Sequence, residues 1–240
     1  LFMGSGKTLA VSGTSIILTY LIIGFFFFFV MRAMGELLLS NTNYKSFADF
    51  ATAYLGPWAG FFLGWSYWLS WIVTAIADVI VIGGYAQFWY PDLPAWIPAF
   101  TSIAILTLLN FVAVKLFGEV EFWFALIKIV AIILFLMVGI YLVTISFVSP
   151  DGVKASLAHV VDRQSMFPYG VSGFLAGFQI AVFAFVGIEL VGTTAAETKD
   201  PHTALPRAIN SIPLRILLFY VGALVCIIAV TSWAHISPGK

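Results

Sequence analysis

The chain has 240 residues, of which 62% are hydrophobic, 17% aromatic and only 9% charged, and its mean hydropathy is +1.05. A soluble domain of this size carries about a quarter charged residues, so a water-facing globule is excluded and a polytopic membrane protein is expected. Eleven basic and eleven acidic residues cancel to +0, so nothing suggests nucleic acid or a strongly acidic partner, and one cysteine, Cys226, rules out an intrachain disulfide.

The opening LFMGSGKT lacks a charged leader followed by a cleavage site, so no signal peptide is expected. The chain reads as a piece of a longer protein, truncated at both ends. GSGKT resembles a phosphate-binding loop, but the full pattern needs a glycine where Leu1 stands, and no strand precedes it. Nucleotide binding is rejected on that ground.

A spanning helix needs about 20 mostly apolar residues. Six stretches meet the test, at about 14–31, 57–90, 95–114, 122–147, 170–196 and 209–233. The first contains FFFFF at 25–29, and the second opens after Gly56-Pro57 and is rich in Trp and Gly. The runs lack the period-two alternation of a membrane barrel, so helices are predicted. Between the first two lies NTNYKSFADFATAYLGP, read as a polar turn, a short amphipathic helix and a Gly-Pro start to the next span. The whole chain, 1–240, is taken as a single transmembrane domain.

Charges collect in the connections. Arg32, Lys45, Lys115, Lys199, Arg207 and Arg215 fall on one side, against Lys7, Lys154, Arg163 and Lys240 on the other. The positive-inside rule favours the first group as cytoplasmic. The longest connection, about 149–168, is too short for a soluble catalytic domain.

Three ionisable residues lie within the spans: Asp78, Lys128 and Glu189. A charge at a helix centre costs about 2.5–3.5 kcal/mol on insertion scales, and such groups usually face a bundle interior or a water-filled cavity. Asp78 lies late in its span, where it can reach the interface, and the Lys128 stem can snorkel part of the way. Glu189 follows twenty-five uncharged residues, 164–188, and Gly187 stands two places before it. A mid-span glycine permits backbone angles that break a helix, and secondary transporters build sites from broken helices near the midplane. Gly173 and Gly177, four apart, suit close helix packing instead.

Metal and nucleophile chemistry finds no support, and no cofactor is expected. His159, His202 and His235 are scattered without a second ligand at helical spacing, and no G-x-S-x-G elbow is present. An integral-membrane enzyme would need clustered His, Asp or Ser near an interface. A channel or sensor could use the same glycines and charges.

SGTSIILTYLIIGFFFFFVMRAMGEL, GPWAGFFLGWSYW, FGEVEFWFALIKIVAI, FAFVGIE and ETKDPHTALPRAI, in this order, resemble successive blocks of the amino-acid permeases of the amino acid–polyamine–organocation superfamily. YAQFWYPDL, GFQIAVFAFVGIELVGTTAAETKDP and LPRAINSIPLRI are most like the bacterial D-alanine/D-serine/glycine permeases. The resemblance implies an all-α, five-plus-five inverted-repeat fold, of which these spans would be helices two to seven. It implies a secondary transporter of the bacterial cytoplasmic (inner) membrane that imports small neutral amino acids by proton symport, with exchange as the alternative within the family. Its partners would be the amino-acid substrate, protons and the lipid bilayer. The main chain at Phe183, Ala184, Phe185, Val186 and Gly187 would meet the substrate's amino and carboxyl groups, with Phe183 as an aromatic gate. Glu189 matches a gating or proton-linked carboxylate, and Lys128 a lysine implicated in proton coupling. Asp78 replaces a glutamate common in the family and receives no role. The glycine-rich break of the first family helix and the helices from eight onward have no counterpart in this chain.

Overall fold

The computed structural model describes residues 2–112, 117–150, 152–190, 200–231 and 233. Among them the fold is all helical, apart from one isolated bridge between Val148 and Lys154. Helix α1 (Phe2–Ser12) leads through one tight 3-10 turn at Gly13–Ser15 into α2 (Ile16–Ser40). The short α3 (Phe47–Leu55) and the long α4 (Pro57–Trp89) follow, then α5 (Trp96–Val112) and α6 (Phe117–Thr144). After a 3-10 turn at Leu157–Val160 come α7 (Arg163–Met166) and α8 (Gly170–Ala181). A 3-10 turn at Val182–Phe185 follows α8, and beyond residue 200 come α9 (Pro201–Asn210), α10 (Ile212–Arg215), a wide π turn (Ile216–Val221) and α11 (Gly222–Val230).

Among the described residues four helical stretches are long and apolar enough to cross a membrane: Ser5–Ser40, Pro57–Trp89, Phe122–Thr144 and Pro201–Val230. They correspond to the first, second, fourth and sixth predicted spans. The first and last begin earlier than composition suggested, because GSGKTLAVS and PHTALPRAI are helical although they are not strongly apolar. The third and fifth are shorter apolar helices as described, Trp96–Phe111 and Gly170–Phe185. Positions 113–114 of the third predicted span, 191–196 of the fifth and 232 of the sixth lie outside the described residues.

The expected elbow between the first two spans is present. Asn41 leaves the helix with extended angles, and Asn43 donates its amide to the Asn41 side chain at 3.1 Å. After α3, Gly56 takes φ 98°, and Pro57 opens α4 at a position where no amide donor is needed.

The chain divides into two compact units, one of residues 1–47 and 129–240 and one of residues 48–128. In the second, α4 packs on α5, and the turn between them is tied by Gln87 donating to the Leu93 carbonyl at 3.2 Å. Gly60 lies so close to α3 that an added Cβ would collide with the Thr52 side chain.

The first unit holds the larger core. Leu9, Ile16, Tyr20, Met31, Ala181, Phe185, Ile209, Ile212, Ile216, Leu224 and Ile228 form one buried cluster. Glycine brings the helices together at three further points. A Cβ on Gly24 would lie 3.0 Å from Ile216, one on Gly35 would strike Ile209, and one on Gly139 would lie 2.8 Å from the Cys226 sulfur. The connection before α7 is fastened to α11 by the Ser156 amide donating to the Ala229 carbonyl at 2.8 Å. Asp162 caps α7, accepting from the Ser165 hydroxyl at 2.5 Å and from the Ser165 amide at 3.2 Å.

Candidate functional site

The site is built on the run from α8 to Glu189, whose first half is tightly packed. Gly173, Gly177 and Ala181 are buried, and residues four apart share one helix face. An added Cβ at Gly173 would lie 2.7 Å from the Val11 carbonyl, and one at Gly177 would lie 2.9 Å from the Ser12 Cβ. Small residues thus let α8 approach α1 at backbone distance. The facing seam is polar: Ser5, Thr8, Ser12, Ser15 and Thr19 are all buried. Ser12 donates to the Thr8 carbonyl at 2.7 Å, Ser15 to the Ser12 carbonyl at 2.5 Å and Thr19 to the Ser15 carbonyl at 3.3 Å. The Ser12, Ser15 and Thr19 hydroxyls are satisfied by carbonyls three or four residues earlier in the chain, which removes most of the cost of burying them.

Past Ala181 the α-helix stops. Val182–Phe185 tightens into a 3-10 turn, Val186 swings to φ −62°, ψ 136°, and Gly187 takes φ 100°. That angle belongs to the region side chains avoid, so the glycine is required where the chain turns. In a continuous α-helix the Ile188 amide would donate to the Ala184 carbonyl and the Gly187 amide to the Phe183 carbonyl. Here the Ile188 amide reaches the Phe185 carbonyl at 3.5 Å, and the Val186 amide takes the Phe183 carbonyl at 3.4 Å.

Two side chains take up the released groups. The Gly187 amide donates to the Glu189 carboxylate at 2.8 Å. The Tyr220 hydroxyl donates to the Ala184 carbonyl at 3.0 Å. Both bonds are what a low-dielectric setting demands, because an unpaired backbone group there costs several kcal/mol.

An aromatic cluster pins the break. Phe185 is 1% exposed and stacks on Tyr220 at 5.3 Å and 10°. Tyr20 and Phe27 of α2 approach the same ring at 5.7 Å and 5.9 Å. Offset and tilted ring pairs of this kind are favoured arrangements.

The expected substrate set therefore separates by role. Ala184 and Gly187 contribute backbone groups, Phe185 is a core anchor, and Phe183 and Val186 point outward. Glu189 joins the break through its carboxylate. Lys128 belongs to the other unit, on α6, with an exposed side chain, and Asp78 is exposed on α4. Sequence reasoning missed Tyr20 and Tyr220. The available signal was a phenol inside an apolar run, since a buried tyrosine hydroxyl needs a partner. Among the described residues no group of three His, Cys, Asp or Glu is placed to hold a metal ion.

The amino acid permease family model matches residues 1–240. The chain is 63% identical over 240 residues to the D-serine/D-alanine/glycine transporter of Escherichia coli K12, covering all of this chain and 51% of that protein. It is 51% identical over 240 residues to the amino-acid permease AapA of Bacillus subtilis, all of this chain and 52% of that one. To the DL-alanine permease SerP2 of Lactococcus lactis it is 44% identical over 240 residues, with the same coverage of 100% and 52%. The chain thus spans about half the length of these relatives. No solved structure matches it. The relatives carry the names of transporters and not of enzymes, and together with the long apolar helices they make this an integral membrane protein. By its match over every residue, the chain belongs to the amino acid permease family.

Proposed function

We propose that the whole protein is a secondary transporter of the bacterial cytoplasmic membrane that imports small neutral amino acids such as glycine, D-alanine and D-serine by proton symport. The present chain supplies six of its spans, helices two to seven of a five-plus-five inverted repeat, within one transmembrane domain. The observation that carries the reading is the Gly187 amide with the Glu189 carboxylate upon it, 2.8 Å away. An opened helix that already holds one carboxylate on a released amide has the chemistry to hold another, that of an amino-acid substrate. The main chain from Phe183 to Gly187 meets the substrate's charged ends, Phe183 closes over it, and Glu189 gates the position.

In alternating access, proton and substrate must each bind the outward- and inward-open states with different affinity, because a ligand shifts an equilibrium only through that difference. Lys128 and Glu189 are the groups assigned to the proton. Uptake of labelled glycine by cells bearing the complete gene, competed with D- and L-alanine, tests the substrate class. Lys128→Ala in the full-length protein abolishes proton-driven accumulation, and retained uphill uptake would remove Lys128 from the coupling. In proteoliposomes, uptake that requires internal amino acid identifies exchange in place of symport.

A further inference from the structure

We infer that Tyr220 is a positioning residue of the helix break, a strut that holds the Ala184 carbonyl in place and so sets the backbone that the proposed substrate site uses. The backbone around Ala184 has lost its helical partner: the Ile188 amide bonds the Phe185 carbonyl, and Ala184 receives the Tyr220 hydroxyl at 3.0 Å across a separation of 36 residues. The same tyrosine lies flat against Phe185, with centroids 5.3 Å apart. One side chain thus fixes two successive residues of the break, Ala184 through its carbonyl and Phe185 through its ring.

The helix that carries Tyr220 is adapted to deliver it. Ile212, Ile216, Leu224 and Ile228 are buried in the core cluster, and Tyr220 packs against that cluster; these five positions repeat every four residues. On a helix of 3.6 residues per turn, a four-residue repeat drifts by about 40° per step, which would carry the stripe around the helix over its length. The wide turn at Ile216–Val221, with i→i+5 bonds, turns less per residue and takes up that drift where Tyr220 sits. Such wide turns are frequent at functional sites.

The role in uptake rests on the transport reading above, whereas the strut itself is tested without it. The full-length protein bearing Tyr220→Phe keeps the ring and loses only the hydroxyl. Hydrogen exchange over 182–190 is expected to quicken roughly two- to tenfold, the range for losing one neutral hydrogen bond, with 170–181 unchanged. Tyr220→Leu, which also removes the ring, is expected to quicken it further. Equal exchange in wild type and Tyr220→Phe, with loss only in Tyr220→Leu, would reduce the residue to packing and overturn the inference. In uptake, Tyr220→Phe is expected to raise the KM for glycine several-fold with Vmax retained. Faster exchange beside an unchanged KM would keep the strut and overturn its role in setting the substrate site. Absence of glycine uptake by the wild type would instead remove the transport reading and leave the exchange result standing.

Discussion

The two halves of the run from Gly170 to Glu189 use the same residue type for different physical ends. In α8, Gly173 and Gly177 have ordinary helical angles, and what matters is the missing Cβ, whose place is taken by Val11 and Ser12. In the break, Gly187 matters for its φ of 100°. One half is held by close contact between helices. The other is held by two polar bonds and an aromatic clamp. Both halves are largely apolar and both contain glycine, so the presence of glycine does not distinguish them. The difference lies in where the neighbouring chain approaches and where the backbone must turn.

The packed half is most sensitive at Gly177. Valine there would drive two methyl groups into the Ser12 Cβ, 2.9 Å from where a Cβ would stand, and overpacking of this kind costs roughly 1–3 kcal/mol or more. Gly177→Val is expected to lower the thermal stability of the full-length protein in detergent and to cut its folded yield sharply. Wild-type stability would show that α8 and α1 do not depend on backbone approach.

Gly187→Ala should fail differently. A non-glycine residue with positive φ costs about 1–2 kcal/mol, and the penalty falls on the turn and not on a helix interface. Folded yield is expected to survive while glycine uptake falls, because the strained turn shifts the amide that Glu189 now caps. If Gly177→Val and Gly187→Ala lose stability and uptake in equal proportion, the two halves are one unit and the distinction fails.

Much of this was legible in the sequence, for reasons that differ residue by residue. The order of helices follows from long apolar runs, and the elbow before α4 follows from Gly56-Pro57, whose backbone preferences are local. The break was marked by Gly187 beside Glu189, because glycine and a charge inside an apolar run both carry a cost that calls for a reason. The side chain that caps the Gly187 amide is two residues away, close enough to suspect. Tyr220 is not: its partner Ala184 lies 36 positions away, and only the packing of α2, α8 and the wide turn brings them together. The resemblance singled out Phe183 as a gate, but local residue preferences alone did not separate it from Phe185. They differ by two places, and a 3-10 turn sends one outward and the other into the core.

The smallest expected effect comes from Asp162, and it tests whether the packed half can be loosened alone. Asp162 caps α7, and the Ser165 carbonyl of that helix stands where a Cβ on Gly13 would collide. The hydrogen bond from the Ser165 hydroxyl, with help from the Gln164 and Ser165 amides and the nearby His159, holds the Asp162 carboxyl below its ordinary value of 3.8. A depressed carboxyl stabilises the fold above the unfolded value, and the contribution is lost as pH falls through the folded one. Hydrogen exchange over 162–166 should therefore be slower in the wild type than in Asp162→Asn at neutral pH, and the gap should close below pH 3.8. The carboxylate is exposed, so the change is expected to be slight and local. Exchange over 182–190 should not respond at all, because none of the bonds that hold the break involves α7. A response there would mean that the cap before α8 and the break after it share one cooperative unit, and the contrast between the halves would have to be redrawn around α1.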